Sequence, residues 1–300
     1  WVHKLRKLGG ISFLVLRDKE GLAQAVIEKA SENVKLQDLA TETVIKISGK
    51  VIAEERAPHG AEIRVTKLEI ISAVREDIPI AINKKEMNVN LDTLLDNRPI
   101  TLRSPKQRAI FKVQAEIMAE FRSYLTENGF VEYDSPKIVS SGVETGGAEM
   151  FTVDYFKKKA YLSQSPQMYK QIMVGVFERV FETSHMFRAE KHNTSRHLNE
   201  YMSMDFEMGF IDSYEDIMNM EEGYIKSMIT RLEKNCSKEF ELLGAKLPKI
   251  PKKIPRLKLS EVQNILEKEY KEKCSGAPDL EPKHEKQICE FVEKKFDSEF

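Results

Sequence analysis

The first quarter of the chain consists of short apolar runs separated by turn residues. The runs are rich in valine, isoleucine and phenylalanine, and they span residues 11–17, 23–28, 44–54 and 62–72. Glycine, proline and aspartate mark turns between them at 9–10, 18–21 and 58–60. Several short strands, with one short helix at 38–40, suit a small Greek-key barrel such as the OB-fold. The pattern alone leaves a sandwich or another small barrel open.

A polar stretch at 75–90 follows, and helical periodicity begins after it. Ser104 is a good N-cap, Pro105 fits the first helical turn, and Asn128-Gly129 supplies a stop. Between these signals one apolar stripe repeats at helical spacing, formed by Ile110, Val113, Ile117, Phe121 and Leu125. Taken alone, this stripe predicts a helix packed on the core. An extended segment then runs from Phe130 to Pro136.

The second half of the chain predicts a hairpin and several helices. Residues 180–183, 186–188 and 201–206 have extended patterns, and a polar loop at 191–196 joins them. Helical patterns occupy 214–235, 259–270 and 285–296. The last two are charged and amphipathic, and a connector rich in proline and lysine precedes them at 248–255. The lysines of this connector are more typical of a solvated surface than of a nucleic-acid site.

Composition narrows the class of protein only slightly. The 300 residues include 47 basic and 48 acidic ones, so the net charge of −1 gives no general support for nucleic-acid binding, which local patches can still provide. Cys236, Cys274 and Cys289 lack metal-site spacing, and their odd number suits a reducing compartment. We expect no membrane span, because no apolar run reaches about 18 residues. No signal peptide is visible either.

The chemistry is concentrated between 187 and 207, where an arginine, a histidine, an aromatic residue and several carboxylates lie within about twenty residues. This segment, with 13–17, 91–98 and 164–171, resembles the class II aminoacyl-tRNA synthetases, most closely the aspartyl-tRNA synthetases of the archaeal and eukaryotic type. The resemblance covers nearly the whole chain. Four segments in the family's order are far more specific than one short motif.

The resemblance implies an α+β architecture. An OB-fold β-barrel for anticodon binding is expected at 1–78 and a hinge at 79–98. A class II catalytic domain, with an antiparallel sheet flanked by helices, is expected at 99–300. The implied reaction joins L-aspartate to ATP as aspartyl-adenylate, and then transfers the aspartyl group to tRNA(Asp). The implied cofactors are ATP and Mg²⁺, and the implied state is a cytoplasmic homodimer.

The resemblance also assigns an ATP site. Arg188 matches the catalytic arginine that binds the α-phosphate, and Glu190 matches the residue that holds the adenine amino group. His197 matches a loop residue near the terminal phosphates, although surface histidines are common. Tyr201 stands where the family stacks an aromatic ring on adenine. The third family signature, which carries an arginine for the γ-phosphate, is not found, and the Mg²⁺ ligands are expected beyond residue 300.

The aspartate pocket is assigned in the same way. Lys170 matches the lysine that meets the side-chain carboxylate of the substrate, and Gln164 and Gln167 belong to the same motif. A buried ammonium facing a neutral amide would lose its ion pair, at a cost of several kcal/mol. Asp205 matches a pocket carboxylate, and Glu207 lies on the same strand face. A mobile loop at 142–149 supplies Glu144, preferred over Glu149 although Thr145 interrupts the usual Glu-Gly-Gly order.

The remaining assignments concern RNA and the dimer. Phe13 matches the aromatic that stacks on an anticodon base, and Gln24 and Glu62 match residues that read base edges. The competing interpretation of Phe13 is strong, since a strand phenylalanine is usually core. Pro136 ends the strand of the first family signature, which builds the dimer interface in that family.

Two alternatives to an aspartate–tRNA ligase stay open. An asparagine-specific relative is opposed by Lys170 and Asp205. A non-catalytic tRNA-binding or regulatory protein is favoured by the missing third signature but opposed by Arg188 and Lys170. The start at Trp1 and the missing signature favour a truncated chain, which we expect to be weak or inactive in adenylate formation. Charging of tRNA(Asn) as a second acceptor is not settled by the sequence.

Overall fold

The computed structural model describes residues 1–28, 39–84, 86–140, 149–191 and 197–300. The chain forms two compact units, Trp1–Ala109 and Ile110–Phe300. Three predicted features fall on residues outside the described ranges: Asp38 in the short predicted helix, the loop at 142–148 with Glu144, and the polar loop at 192–196. Leu39 and Ala40, which follow Asp38, are not helical.

The first unit contains a five-stranded sheet with the order β1-β2-β3-β5-β4. Its strands are β1 (Val2–Leu8), β2 (Ile11–Arg17), β3 (Leu22–Glu28), β4 (Val44–Ala53) and β5 (Ala61–Ser72). All neighbours are antiparallel except β3 and β5, which run parallel. This topology is that of the five-stranded Greek-key barrel predicted from the sequence. The buried core is formed by Val2, Leu14, Ala25, Ile27, Leu39 and Val65.

A buried ion-pair network stabilises this unit. The guanidinium of Arg17 donates two hydrogen bonds to the carboxylate of Glu42, at 2.6 and 2.8 Å, and Arg103 adds a third at 2.9 Å. Burial alone would raise the pKa of Glu42, but the hydrogen bonds from the two arginines outweigh it and lower the pKa. Glu42 is therefore held as a carboxylate inside the fold.

The helix α1 (Leu91–Asp96) occupies the end of the segment predicted as a hinge, and a second short helix, α2 (Arg98–Thr101), follows it. The side chain of Asn90 accepts a hydrogen bond of 2.8 Å from the backbone N–H of Thr93, which caps α1. The sequence analysis missed this N-cap because the helix that follows it is only six residues long.

The second unit begins within the long helix α3 (Pro105–Glu127), which has the bounds expected from its cap and stop signals. Gly129 adopts a φ of 81°, the left-handed conformation that ends helices. The apolar stripe is buried only towards the end of the helix. Phe121 and Leu125 belong to the core, whereas the side chain of Ile110 is 47% exposed.

Two small sheets follow. The first has the order β11-β10-β6, with β6 (Val131–Glu132) parallel to β10 (Arg179–Phe187) and β11 (Glu200–Met208) antiparallel to it. The predicted pair of strands is thus confirmed, and Ser184 and His185, which lie between the two extended patterns of its first strand, also belong to β10. The second sheet has the order β7-β9-β8, with β7 (Ile138–Val139), β8 (Thr152–Tyr155) and β9 (Lys158–Leu162).

The described part of this unit contains five further helices: α4 (Gln167–Phe177), α5 (Tyr214–Asn235), α6 (Ser237–Leu243), α7 (Leu259–Tyr270) and α8 (Pro282–Phe296). One face of the β10–β11 pair packs on α3 and α5 through a core centred on Phe121, Leu125, Phe130 and Phe181. Among the helices of the described part of the chain, none has the length and apolar character that a membrane span requires.

Candidate functional site

The strand pair β10–β11 brings three carboxylates to one of its two faces. Val180 is paired with Glu207, and Glu182 with Asp205. Residues directly opposite each other in an antiparallel pair project to the same side, so these carboxylates share one face. The other face carries Phe181, which is fully buried in the core below the sheet. The polar face is therefore the surface on which the chemistry of this unit can be built.

Lys170 of α4 reaches this polar face and lies between two carboxylates. Its Nζ is 3.0 Å from Oδ1 of Asp205 and 3.4 Å from Oε2 of Glu207. The Lys170 side chain is only 7% exposed, whereas those of Asp205 and Glu207 are 26% and 31% exposed. The cluster is therefore accessible from the carboxylate side and closed behind the lysine.

Hydrogen bonds fix the geometry of this cluster. Gln167 stands three residues before Lys170, so both side chains project from the same face of α4. The Gln167 amide donates to Oε2 of Glu207 at 3.4 Å, and the hydroxyl of Ser203 donates to Oδ2 of Asp205. Lys170 itself donates a hydrogen bond to Oδ1 of Asp205, so its ammonium faces the accessible carboxylates of the cluster.

A second acidic group, Glu182, is buried beside this cluster. Its carboxylate accepts hydrogen bonds from the backbone N–H and hydroxyl of Ser135 and from the hydroxyl of Ser184, and it pairs with Lys137. Burial would raise the pKa of Glu182, but the hydrogen bonds from Lys137, Ser184 and Ser135 outweigh it and lower the pKa. The sequence analysis missed this network, for which its only signal was a glutamate inside an apolar strand.

Tyr133 adds a neutral group to the same region. Its hydroxyl oxygen is buried. Burial raises the pKa of Tyr133, and the negative charges of Glu182, Asp205 and Glu207 raise it further. Tyr133 therefore stays protonated at neutral pH and presents an O–H dipole, not a charge, to the carboxylates.

Arg188 lies just beyond the end of β10, and its guanidinium stacks on the ring of Tyr201. The guanidinium carbon is 5.8 Å from the ring centroid. The backbone of the arginine segment is anchored, because Arg188 N–H donates to the carbonyl of Asn199 at 2.9 Å and Glu190 N–H donates to the Asn199 side chain at 3.1 Å. A planar cation on an aromatic ring suits recognition of a phosphate next to a flat base.

Glu149 connects this segment to the motif that contains Lys170. Its backbone carbonyl accepts from Ala189 N–H at 3.0 Å and from the side-chain amide of Gln164 at 2.9 Å. Its carboxylate pairs with Lys191. Gln164 is buried, whereas His197 is exposed. Glu144, the preferred loop glutamate, lies outside the described residues.

The β-barrel unit carries a separate cavity of about 500 Å³. Phe13, Gln24 and Glu62 all line it, and the Gln24 amide donates to Glu62 at 3.1 Å. Phe13 lies on the strand face opposite its buried neighbour Leu14 and does not belong to the barrel core. The lining also includes three cations that the sequence analysis did not single out: Arg6, Arg56 and Arg64.

Metal ligands were sought among the same residues. Within the described ranges, no group of three or more histidine, cysteine, aspartate or glutamate side chains has an arrangement that could hold a metal ion. Asp205 and Glu207 both pair with Lys170 and do not form a cation site. Pro136, assigned by resemblance to a dimer interface, is exposed.

Comparison with known protein families agrees with both units. Residues 90–300 match the family of class II tRNA synthetases (D, K and N), and residues 1–71 match the OB-fold nucleic acid binding domain. Among curated proteins, the aspartate–tRNA(Asp/Asn) ligase of Deinococcus radiodurans is 46% identical over the whole chain, which covers 67% of that protein. That of Methanocaldococcus jannaschii is 41% identical over 98% of the chain, which covers 67% of it.

Solved structures give the same result. The asparaginyl-tRNA synthetase of Pyrococcus horikoshii, complexed with asparaginyl-adenylate, superposes with a TM-score of 0.85 at 33% identity, covering 97% of this chain and 67% of that one. The aspartyl-tRNA synthetase of Entamoeba histolytica superposes with a TM-score of 0.84 at 26% identity, covering 99% of this chain and 64% of that one.

Proposed function

Because the chain belongs to the class II tRNA synthetases (D, K and N), we propose that it functions as an aspartate–tRNA ligase. It activates L-aspartate with ATP to give aspartyl-adenylate and pyrophosphate, and it then transfers the aspartyl group to tRNA(Asp). Curated relatives that match the full length of this chain carry the aspartate–tRNA(Asp/Asn) ligase name. Transfer to tRNA(Asn) is therefore a second reaction to be tested.

The position of Lys170 is the observation that supports aspartate as the amino-acid substrate. Asp205 and Glu207 hold its ammonium on the polar face, and in this proposal the ammonium also meets an incoming anion. The side-chain carboxylate of aspartate supplies that anion. The amide of asparagine brings no charge, so the desolvated ammonium would lose an ion pair even where the amide oxygen accepts a hydrogen bond from it.

ATP binds, in this proposal, along the neighbouring part of the same hairpin. The Arg188 fork holds the α-phosphate and stabilises the charge that develops there, while Tyr201 stacks on the adenine. Glu190 contacts the adenine amino group, and His197 lies near the terminal phosphates. Neither step needs an enzymic nucleophile, so positioning and charge stabilisation account for the catalysis. Mg²⁺ is expected with ATP, but the described residues provide no ligand cluster for it.

In the amino-acid site, Gln164 and Gln167 support the pocket around Lys170 and Asp205, and Glu144 meets the ammonium of aspartate. The proposed boundaries remain an anticodon-binding barrel at 1–78, a hinge at 79–98 and a catalytic domain at 99–300. Phe13, Gln24 and Glu62 bind the anticodon in the barrel cavity. We further propose a homodimer that uses the segment of Pro136, and a cytoplasmic location.

An asparagine ligase is the second candidate, because a solved asparaginyl-tRNA synthetase is 33% identical to this chain. The two functions differ in the first step. Amino-acid-dependent ATP–pyrophosphate exchange should therefore be measured on the native protein with aspartate and asparagine side by side. Exchange with aspartate alone is the expected result.

The matched variants are Lys170→Met, which removes the ammonium, and Lys170→Arg, which keeps the charge and changes its shape. The Met variant should lose aspartate-dependent exchange, and the Arg variant should retain more of it. Exchange with asparagine instead would establish the second candidate. No exchange with either amino acid, by folded protein that binds tRNA, would favour a non-catalytic tRNA-binding protein.

A further inference from the structure

The turn between β8 and β9 exposes an aromatic residue in an unfavourable backbone conformation. Phe156 is the first of the two turn residues, its φ is 53°, and its side chain is 90% exposed. Glycine, asparagine or aspartate normally occupies such a position, because a bulky side chain is strained at positive φ. Phe156 therefore stabilises the fold neither by burying its ring nor by relaxing the turn.

Phe156 is paired with a second exposed aromatic residue. The rings of Tyr155 and Phe156 meet edge to face, with centroids 4.9 Å apart. Tyr155 is itself 50% exposed. The two rings therefore form one small aromatic surface at the tip of the hairpin, open to a flat ligand.

Three consecutive lysines follow the aromatic pair. Lys157, Lys158 and Lys159 are all exposed, and the one carboxylate directly opposite any of them in the strand pair is that of Asp154, opposite Lys159. Lys158 is directly opposite Tyr155 in the strand pair, so the two side chains project to the same side. Lysine is depleted at protein–protein interfaces, whereas aromatic rings beside basic side chains are typical of sites for single-stranded nucleic acid.

The hairpin is connected directly to the candidate active site. Strand β9 runs from the hairpin tip to Leu162, and Gln164 follows two residues later as one of the pocket residues. At about 3.3 Å per residue, the tip lies about 20 Å from Gln164 along the chain. A short unpaired strand can reach both places.

We propose that the hairpin tip, Tyr155 to Lys159, binds the unpaired 3′ end of the tRNA substrate. Bases stack on Tyr155 and Phe156, and the lysines neutralise the backbone phosphates. This inference rests on the proposed function, since it concerns the RNA that the ligase charges.

The decisive variant is Phe156→Gly, because glycine suits a φ of 53° and removes only the aromatic ring. Its thermal unfolding should not fall below that of the wild type, while the Kd for tRNA(Asp) should rise at least about fivefold. Phe210→Gly is the matched control. Phe210 has a φ of 54° and is also 90% exposed, but Gly209 and Ile211 flank it in place of lysines. This control should bind tRNA as the wild type does.

A triple Lys→Gln variant at 157–159 tests the charges, and it should reduce the salt dependence of tRNA binding. The effects of both hairpin variants should disappear with a tRNA that lacks its unpaired 3′ nucleotides. Unchanged affinity for intact tRNA would overturn the proposal, and so would equal weakening with the trimmed tRNA. A change in oligomeric state by light scattering would identify a protein interface and overturn it as well. Wild-type exchange with aspartate tests the ligase function separately, because that reaction is followed without tRNA.

Discussion

The carboxylates of Glu182 and Asp205 are direct cross-strand partners on β10 and β11, and each is paired with a lysine of its own. Like charges in such positions destabilise a sheet unless they are compensated. Lys137 compensates the fully buried Glu182, and Lys170 compensates the accessible Asp205. The first pair is thus suited to hold the structure and the second to bind a ligand.

Removal of Lys137 should test the structural pair. Lys137→Met leaves the buried carboxylate of Glu182 without its cation, and breaking a buried pair costs about 3–5 kcal/mol. Because the Lys137 side chain is 24% exposed, we expect the lower end of this range. Chemical denaturation of wild type and variant measures the difference in the free energy of unfolding.

The double variant Lys137→Met with Glu182→Gln should recover part of this loss, since it removes both charges. Lys249→Met serves as the control, because Lys249 and Asp297 form an exposed pair on the same unit. If Lys137→Met destabilises the protein no more than Lys249→Met, the pair with Glu182 does not stabilise the fold.

Acid should weaken both units through their buried carboxylates. The pKa values of Glu42 and Glu182 are lowered because hydrogen bonds from their partners outweigh burial. A lowered pKa in the folded state means stability that is fully present above the ordinary carboxyl pKa of about 4.3 and is lost as pH falls through the folded value. Unfolding measured between pH 7 and pH 3 should therefore show a loss below about pH 4.3.

In the second unit, Glu182→Gln should reduce the loss of unfolding free energy on acidification. The acid limb, the fall in stability below about pH 4.3, should therefore be less steep. Glu132→Gln changes an exposed glutamate of the neighbouring strand β6 and provides the comparison. An acid limb that is equally steep in wild type and Glu182→Gln would show that Glu182 does not contribute to it.

The sequence predicted well those elements whose ends are marked by residues close by in the chain, such as an N-cap or a terminating glycine. The bounds of α3 followed from Pro105 and Gly129, which act within one turn of its ends. The extended patterns at 180–183 and 186–188 left out Ser184 and His185, yet both residues pair within β10, opposite Ser203 and Met202. Their pairing depends on residues about 20 positions away, which local periodicity does not report.

The candidate site shows the same division. Resemblance selected Lys170 and Asp205, and the structure brings them together at 3.0 Å. The resemblance did not select Glu182. Its partners Ser135 and Lys137 lie 47 and 45 residues earlier in the chain. A strand pattern indicates which residues share a face, but tertiary packing decides which distant side chains meet that face.

Arg188 is expected to act through the shape of its guanidinium as well as its charge. Arg188→Gln should lower aspartate-dependent ATP–pyrophosphate exchange by about 10²–10³-fold, the effect of losing a donor to a developing charge. Arg188→Lys keeps the charge but loses the planar fork, so its exchange rate should lie between those of the wild type and Arg188→Gln. Initial rates at saturating aspartate and varied ATP provide the measurement.

Arg179→Gln is the matched control for this series. Arg179 also stacks on an aromatic ring, 5.6 Å from the centroid of Phe130, but it lies at the other end of β10. Equal losses in the Arg179 and Arg188 variants would mean that stacking of the arginines supports the fold, and that Arg188 has no special role toward ATP.

The barrel cavity should read the anticodon through Phe13 and Glu62. Stacking on an aromatic ring is worth about 1–3 kcal/mol per base, so Phe13→Ala should weaken tRNA(Asp) binding by that amount. Val51→Ala, which changes a 73%-exposed side chain on β4, should have no such effect. Both affinities can be measured by filter binding with a tRNA of unchanged acceptor end.

Glu62 tests specificity rather than affinity, because its carboxylate is held by Gln24 at 3.1 Å and by Arg64 at 2.9 Å. Glu62→Gln keeps the size of the side chain and removes the charge that orients both partners. It should reduce discrimination between tRNA(Asp) and a tRNA with one changed anticodon base, while overall affinity changes less. If discrimination is unchanged although Phe13→Ala weakens binding, the cavity stacks an anticodon base without reading its edge through Glu62.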